Sequence, residues 1–322
     1  MVNLVEAQKP LLHGLMKMAG ISQYTVEIQP GTKMTFWVPS ETIKKQKQTN
    51  KSPNDNLIYT KPKPTKPIVV LIHGFAAEGI VTWQFQVGSL TKHYSVYVPD
   101  LLFFGGSTTD NSDRSPKFQA ECLTKALRKL GIEKCTLVGF SYGGMVSFKM
   151  AEMCPDLVQG MVISGSILAM TDSLSQETLE SLGFSSSSEL LLPSSVKGLK
   201  ALLQVAAHKN LWFPDRLHKD FLEVMFNNRK EKAELLEGLV ISNKDTTIPN
   251  FPQRIHLLWG QKDQFFKLDL AQNMKEQFGD NTTLEAIDKA GHLVHLERPC
   301  VYNRRLKNFL DSLYTEDENP PK

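Results

Sequence analysis

Cysteine is scarce and scattered. The four in this chain of 322 residues (Cys122, Cys135, Cys154 and Cys300) show neither CxxC nor metal-ligand spacing. A disulfide-stapled scaffold and a cysteine-held metal centre are therefore set aside. Cys135 and Cys154 read as small buried hydrophobes, and a reducing compartment is the default. Long apolar runs are missing as well, since none approaches the ~18 residues of a membrane span. The first twenty residues lack the continuous apolar stretch of a secretion signal, so the expected location is cytoplasmic. Charge of one sign is also in short supply. With 37 Lys and Arg against 34 Asp and Glu, the net charge is +3, which gives no mandate for nucleic-acid binding. The hydrophobic share of 41% still allows a sizeable core.

What is present begins with an amphipathic stretch. In residues 1–20, Leu4, Val5, Leu11, Leu12, Leu15, Met16 and Ala19 recur at helical spacing, interspersed with Lys9, His13 and Lys17. Packing of this helix on its own domain is the first reading, and weak contact with a membrane surface is the second. Residues 24–30 and 33–39 flank Pro30-Gly31 and predict a β-hairpin. Residues 40–66, with KKQKQTNK and KPKPTKP, read as a solvated Lys/Pro-rich loop. From Pro67 the pattern alternates: IVVLIHG (68–74), a helix over 82–92, SVYVPD (95–100), a helix over 116–130 stopped by Gly131, CTLVGF (135–140), a helix over 142–153 and LVQGMVIS (157–164). That order predicts an α/β fold with a mostly parallel sheet and helices on both faces.

Alternation stops near Ser166. Residues 167–250 carry only helical patterns, over 174–182, 195–208, 215–228 and 230–241, with SSSS (185–188) and Pro193 between them. It resumes with RIHLLWG (254–260), a helix over 267–278, TTLEAID (282–288) and a helix over 299–312. The expected organisation is a core built from residues 1–166 and 251–313, interrupted by a helical cap over 167–250. Such a cap lies over the carboxyl end of the sheet, where open α/β sheets bind ligands. Residues 314–322 read as a disordered tail.

The chemistry gathers at strand ends. GFSYGG (139–144) fits G-x-S-x-G, a sharp strand-to-helix turn that lifts a serine oxygen above the sheet. A serine hydroxyl needs an adjacent base, and His292 follows the last predicted strand on a loop. His295, three residues on, falls at the next helix and reads as structural. The base needs a carboxylate to fix its tautomer, and Asp263 lies just past RIHLLWG. The order Ser141, Asp263, His292 is that of α/β-hydrolases. The backbone N–H groups of Phe75, after the first parallel strand, and Tyr142, after the serine, are the expected oxyanion donors.

HGF (73–75), PDLLFFGGS (99–107), GFSYGG, WGQKDQFF (259–266) and AGHLVHLERP (290–299) together resemble a serine α/β-hydrolase over residues 24–313. The nearest subgroup is that of plant monoacylglycerol lipase-like or meta-cleavage-product-hydrolase-like proteins. The resemblance implies an α/β-hydrolase sheet and hydrolysis of a carboxylic ester through an acyl-enzyme on Ser141, with no cofactor and no metal. It gives Asp100 a loop-organising role outside the triad. Epoxide hydrolases share the fold but carry aspartate at the elbow and tyrosines in the cap, whereas residues 167–250 contain no tyrosine. Acyl transfer, carbon–carbon bond hydrolysis and a slow-turnover hormone-receptor role remain the alternatives with the same triad. The expected ligand is a medium, mostly apolar ester, lined by Phe75, Tyr142, Trp212, Phe213, Met225, Phe226, Phe265 and Phe266.

Overall fold

The sheet opens with the hairpin. β1 (Ile21–Gln29) and β2 (Thr32–Pro39) pair antiparallel, with Ile21 opposite Pro39. The computed structural model of the protein describes residues 2–45, 57–61, 66–209, 211–245 and 247–318. Six further strands complete the main path: β3 (Ile68–Ile72), β4 (Ser95–Pro99), β5 (Cys135–Phe140), β6 (Val158–Ser164), β7 (Arg254–Gly260) and β8 (Thr282–Ile287). Their spatial order is β1-β2-β4-β3-β5-β6-β7-β8, and a short Thr108–Thr109 strand pairs with β2. From β4 to β8 every pairing is parallel. β4 and β5 are buried throughout, and β3 at every residue but Ile68. Burial on both faces explains their near-continuous apolar runs.

Side-chain alternation divides the core in two. Val70 and Ile72 of β3 join helices α4 (Pro116–Lys129), α5 (Tyr142–Met153) and α11 (Leu268–Phe278) on one face. Val69 and Leu71 face the other side with α2 (Gly79–Thr82), α3 (Gln84–Leu90) and α13 (Pro299–Glu318). α4 starts where its sequence says it should, because Ser115 accepts the Phe118 N–H and Pro116 takes a first-turn position. It stops before Gly131, which adopts φ 71°. Helix α1 (Leu4–Met18) is capped by Asn3, whose side chain accepts from Val5 and Glu6. It packs on β1, α3 and the insertion helix α9 (Asp215–Met225).

Between β6 and β7 the described residues form five α-helices: α6 (Asp172–Leu182), α7 (Ser187–Leu191), α8 (Val196–Ala206), α9 and α10 (Arg229–Glu237). A two-residue parallel ladder, Met170–Thr171 with Val240–Ile241, ties the insertion at its base. The sequence reading missed α7 by taking SSSS as a connector. Ser186 accepts the Glu189 N–H, and the Glu189 carboxylate accepts the Ser185 N–H. This is a variant of the S-x-x-E box that starts a helix, with the return bond made to the residue before the N-cap Ser186.

Three other expectations are corrected. The helix expected over 82–92 is two helices, broken at Trp83 with φ −102° and ψ 17°. The Lys/Pro-rich loop contains paired strands, Ile43–Lys45 against Leu57–Tyr59, anchored by the Tyr59 and Tyr97 hydroxyls 3.0 Å apart. Most of KKQKQTNK and KPKPTKP falls in 46–56 and 62–65, outside the described residues. The first part of the tail is helical, since α13 continues to Glu318. The Tyr314 hydroxyl lies 2.7 Å from Thr136 Oγ1 and donates to the Ile68 carbonyl at 3.3 Å, which holds this turn on the sheet. Residues 319–322 lie outside the described residues. Among the described residues, no helix is long and apolar enough to cross a membrane.

Candidate active site

Ser141 sits between the end of β5 and the first turn of α5 with φ 52° and ψ −121°. That is a region L-residues rarely occupy, at a cost of about 1–3 kcal/mol. The glycines around it make the turn feasible. A Cβ on Gly143 would run into the backbone carbonyls of Ile72 and His73, and one on Gly144 would meet Ser166 at 2.5 Å. The turn is held by Ser141 N–H donating to Ser164 O at 3.0 Å and Ser166 Oγ donating to Ser141 O at 2.6 Å.

His292 and Asp263 meet directly, Nδ1 to Oδ2, at 2.9 Å. Both are buried. An ionised carboxylate can only accept, so Nδ1 carries the proton and Nε2 keeps its lone pair. The other carboxylate oxygen accepts the N–H groups of Phe265 and Phe266 at 2.9 and 3.0 Å, which fixes the plane of the acid. The imidazole is flanked by the rings of Phe140 and Phe265, with centroids 4.9 and 4.7 Å away. Gly165 also makes room for the pair: it adopts φ 51°, and a Cβ there would lie 2.8 Å from His292 Nδ1. The sequence reading gave Gly165 no role, although its place just past β6 at the sheet's carboxyl end was the available signal.

His295 makes no hydrogen bond to this pair, although it borders the same cavity as His292. It is fully buried against Phe140, Trp83 and Tyr302. Among the described residues neither ring nitrogen has a hydrogen-bond partner. Burial pushes its pKa down to about 3. Asp100, at the end of β4, is buried and accepts the Gly79 N–H at 2.8 Å. Burial raises it to about 7. It faces a second, polar cavity of about 220 Å³ with His13, Glu78 and Lys232. The loop-organising position is where the structure places it.

Of the two backbone donors expected for an oxyanion, Tyr142 directly follows the serine in the chain and Phe75 lines the same cavity as Ser141. Tyr142 N–H is the first of α5, where helix geometry offers no intrahelical acceptor. The turn bearing Phe75 presses on the elbow, for a Cβ on Gly74 would lie 2.9 Å from the Phe140 ring and 3.1 Å from Ser141 Cβ. His73 locks that turn, a role the sequence reading did not assign. Its Nε2 accepts the Leu101 N–H at 2.9 Å, so Nδ1–H donates to the Gly74 carbonyl at 2.6 Å. Burial lowers its pKa to about 4, keeping it neutral.

Ser141 and His292 line one cavity of about 370 Å³. Phe75, Tyr142, Phe265 and Phe266 form its lower wall, and the insertion supplies Phe213 and Phe226 together with Leu199, Leu203 and Leu236. Two expected residues do not belong to it. Trp212 points outward at 84% exposure, while its neighbour Phe213 turns in against the His218 ring at 5.9 Å. Met225 lines the polar cavity, and its carbonyl accepts from the buried Lys232 ammonium at 2.9 Å. No Lys, Arg, Asp or Glu is among the described residues lining the Ser141 cavity. Among the described residues, no group of three His, Cys, Asp or Glu side chains is gathered as metal ligands.

Residues 67–299 match the family described as the alpha/beta hydrolase fold. The chain belongs to the α/β-hydrolase family. The hydrolase is 24% identical over 271 residues to human monoacylglycerol lipase ABHD6, covering 79% of this chain and 78% of that protein. It is equally 24% identical over 269 residues to epoxide hydrolase 3 of Xenopus tropicalis, covering 76% of this chain and 71% of that one. Among solved structures, a putative lipase from Acinetobacter baumannii superposes with a TM-score of 0.77 at 20% identity, over 96% of this chain and 97% of that one. The 2-hydroxy-6-oxo-6-phenylhexa-2,4-dienoate hydrolase of Rhodococcus gives 0.70 at 19% identity, over 90% and 99%. Those likenesses establish the fold of the hydrolase. The choice of substrate rests on its own residues.

Proposed function

We propose that the hydrolase cleaves the carboxylic ester of an uncharged, mostly apolar substrate, of the esterase or monoacylglycerol lipase type, with Ser141, His292 and Asp263 as its catalytic residues. The observation that carries this is the cavity: a serine and a carboxylate-oriented imidazole open into an apolar space lined by no charged side chain among the described residues. In the proposed reaction Ser141 Oγ attacks the ester carbonyl as His292 Nε2 takes its proton. The Phe75 and Tyr142 N–H groups receive the developing oxyanion, and Asp263 balances the imidazolium. His292 then gives its proton to the departing alcohol. Water, activated by the same nitrogen, releases the acid and restores Ser141. At about 370 Å³ the cavity falls in the lower part of the ~300–1,000 Å³ range of small-molecule sites, enough for a medium acyl chain.

The same cavity argues against two relatives' chemistries. A dienoate substrate brings a carboxylate, and among the described residues no Lys or Arg lines this space to receive it. Epoxide opening through an aspartyl ester needs a carboxylate where Ser141 stands, and residues 167–250 offer no tyrosine to an epoxide oxygen. The test is a panel of p-nitrophenyl acyl esters and a monoacylglycerol, each with and without an alcohol acceptor, for wild type and Ser141→Ala. Steady multiple turnover is expected, with free acid as product and a loss on the order of 10⁶ in kcat in the variant. Transfer of the acyl group to the acceptor as the main product would redirect the reading to acyl transfer. Single-turnover labelling without release would redirect it to a receptor.

A further inference from the structure

Helix α1 has two apolar faces, and the fold uses one of them. Met16 is buried, and Val5 and Leu12 pack on the core. On the outer side, Leu4, Leu11, Leu15 and Met18 fall at i, i+7, i+11 and i+14, which at 100° per residue is one narrow stripe. All four are exposed, Leu11 at 67% and Met18 at 77%. Surface leucines are ordinary one by one, but an aligned stripe of them is not.

A second exposed apolar group adjoins this helix. Leu211, Trp212 and Phe213 precede α9, all three exposed. Leu211 and Phe213 also line the Ser141 cavity, so this group is its rim. The start of α1 is fastened beside that rim. Leu4 N–H donates to Asp220 Oδ2 at 2.8 Å, Asn3 Nδ2 to Asp220 O at 3.3 Å, and Arg216 Nη2 to Val2 O at 3.0 Å. The charges around both groups are mainly basic. Lys9, Lys17, Lys200, Lys209, Arg216 and Lys219 stand against Glu6, Asp215, Asp220 and Glu223; Glu6 pairs with Lys9 and Asp215 with Lys200, while Asp220 and Glu223 accept from the Leu4 N–H and the Asn3 amide.

We infer that the outer stripe of α1 and the 211–213 segment form one lipid-docking surface, which seats the mouth of the Ser141 cavity on an anionic bilayer. Exposed leucines, an outward tryptophan and flanking lysines are the residue types an interfacial surface combines, and the basic flanks complement anionic headgroups. A second copy of the chain fits less well. A two-fold contact would place this patch against itself and bring like charges together. The purpose of the surface rests on the ester reading, since an apolar ester dissolves in lipid and would reach Ser141 from there. Binding itself does not require turnover, so the two can fail separately.

The experiment is flotation of the full chain with phosphatidylcholine vesicles, with and without phosphatidylserine, run beside hydrolysis of a short water-soluble ester. Wild type should float with the anionic vesicles and less so as salt is raised. Leu11→Ser/Leu15→Ser and, separately, Trp212→Ser should each reduce the vesicle-bound fraction about tenfold, while Phe85→Ser, at an exposed phenylalanine elsewhere, should not. Leu11→Ser/Leu15→Ser should hydrolyse the soluble ester at the wild-type rate, which also shows that it is folded. Failure of wild type to float, or unchanged flotation of both variants, overturns the proposal. So does a wild-type dimer that Leu11→Ser/Leu15→Ser converts to monomer. Flotation as expected without hydrolysis of any ester would leave docking standing and remove the ester reading.

Discussion

Replacing His295 by phenylalanine should make the hydrolase more resistant to acid by a calculable amount. The imidazole is fully buried among Phe140, Trp83 and Tyr302, and neither nitrogen has a partner among the described residues. Burial, helped by nearby His292, lowers its pKa from 6.5 to about 3. As the pH falls below 6.5 the unfolded chain takes up a proton there that the folded chain refuses, so stability is lost progressively from that point toward pH 3. One proton is worth about 1.4 kcal/mol per pH unit, and the loss between pH 7 and pH 5 comes to about 2 kcal/mol. His73 and His256, each lowered to about 4 by burial, act in the same direction. Asp100, raised by burial from 3.8 to about 7, opposes them, because it holds its proton in the folded chain and gains stability as pH falls through that window. His295→Phe removes one of these contributions and leaves the others. Urea unfolding followed by tryptophan fluorescence, at pH 7 and pH 5, measures the difference. The variant should lose about 2 kcal/mol less than wild type on acidification. Equal losses in the two proteins would refute the assignment of His295 as a buried neutral imidazole. Ester turnover in the variant should persist, since Asp263 orients His292 instead.

Asp263→Asn should cut kcat by about 10⁴ with an unchanged circular dichroism spectrum. The amide oxygen can still accept the Phe265 and Phe266 N–H groups, while the amide nitrogen forces the wrong imidazole tautomer. A loss below tenfold in the ester assay would remove Asp263 from the triad. Gly165→Ala should lower both kcat and the melting temperature, because an alanine is strained at φ 51° and its methyl would press on His292 Nδ1. Wild-type kcat in this variant would show that the His292–Asp263 pair tolerates displacement.

Much of the sheet was legible because its strands are buried on both faces and therefore read as near-continuous apolar runs, as in IVVLI and CTLVGF. The elbow was legible because a strained turn between strand and helix leaves glycines at fixed offsets from Ser141. The roof of the cavity was harder to read. An apolar residue at helical spacing announces burial but not its direction, so Met225 is expected at the Ser141 cavity although it faces the polar one. Trp212 failed differently: in a segment without period, nothing in the sequence tells an outward tryptophan from an inward one. His73 and Gly165 act on groups far along the chain, Leu101 for the first and His292 for the second. Their places at strand ends mark both residues, but the partner of each is not written nearby.

The two-residue ladder between Met170–Thr171 and Val240–Ile241 brings the chain back to within one strand spacing, about 4.8 Å, of where it left the core. To the sheet below, the whole insertion is a single closed loop. The entropy of closing a loop grows only logarithmically with its length, about 0.6 kcal/mol for each doubling. A longer or shorter set of helices could therefore hang from the same two residue pairs at small thermodynamic cost, provided it closed over its own apolar side chains. Ser141, Asp263 and His292 follow core strands, outside that ladder. Inheritance can thus act on the two halves of the site at different rates: the floor is held by glycines with no room to change, whereas beyond its ladder the roof is tied down by single side chains, such as Arg114 to Glu234 and Arg216 to Val2, that can change one at a time.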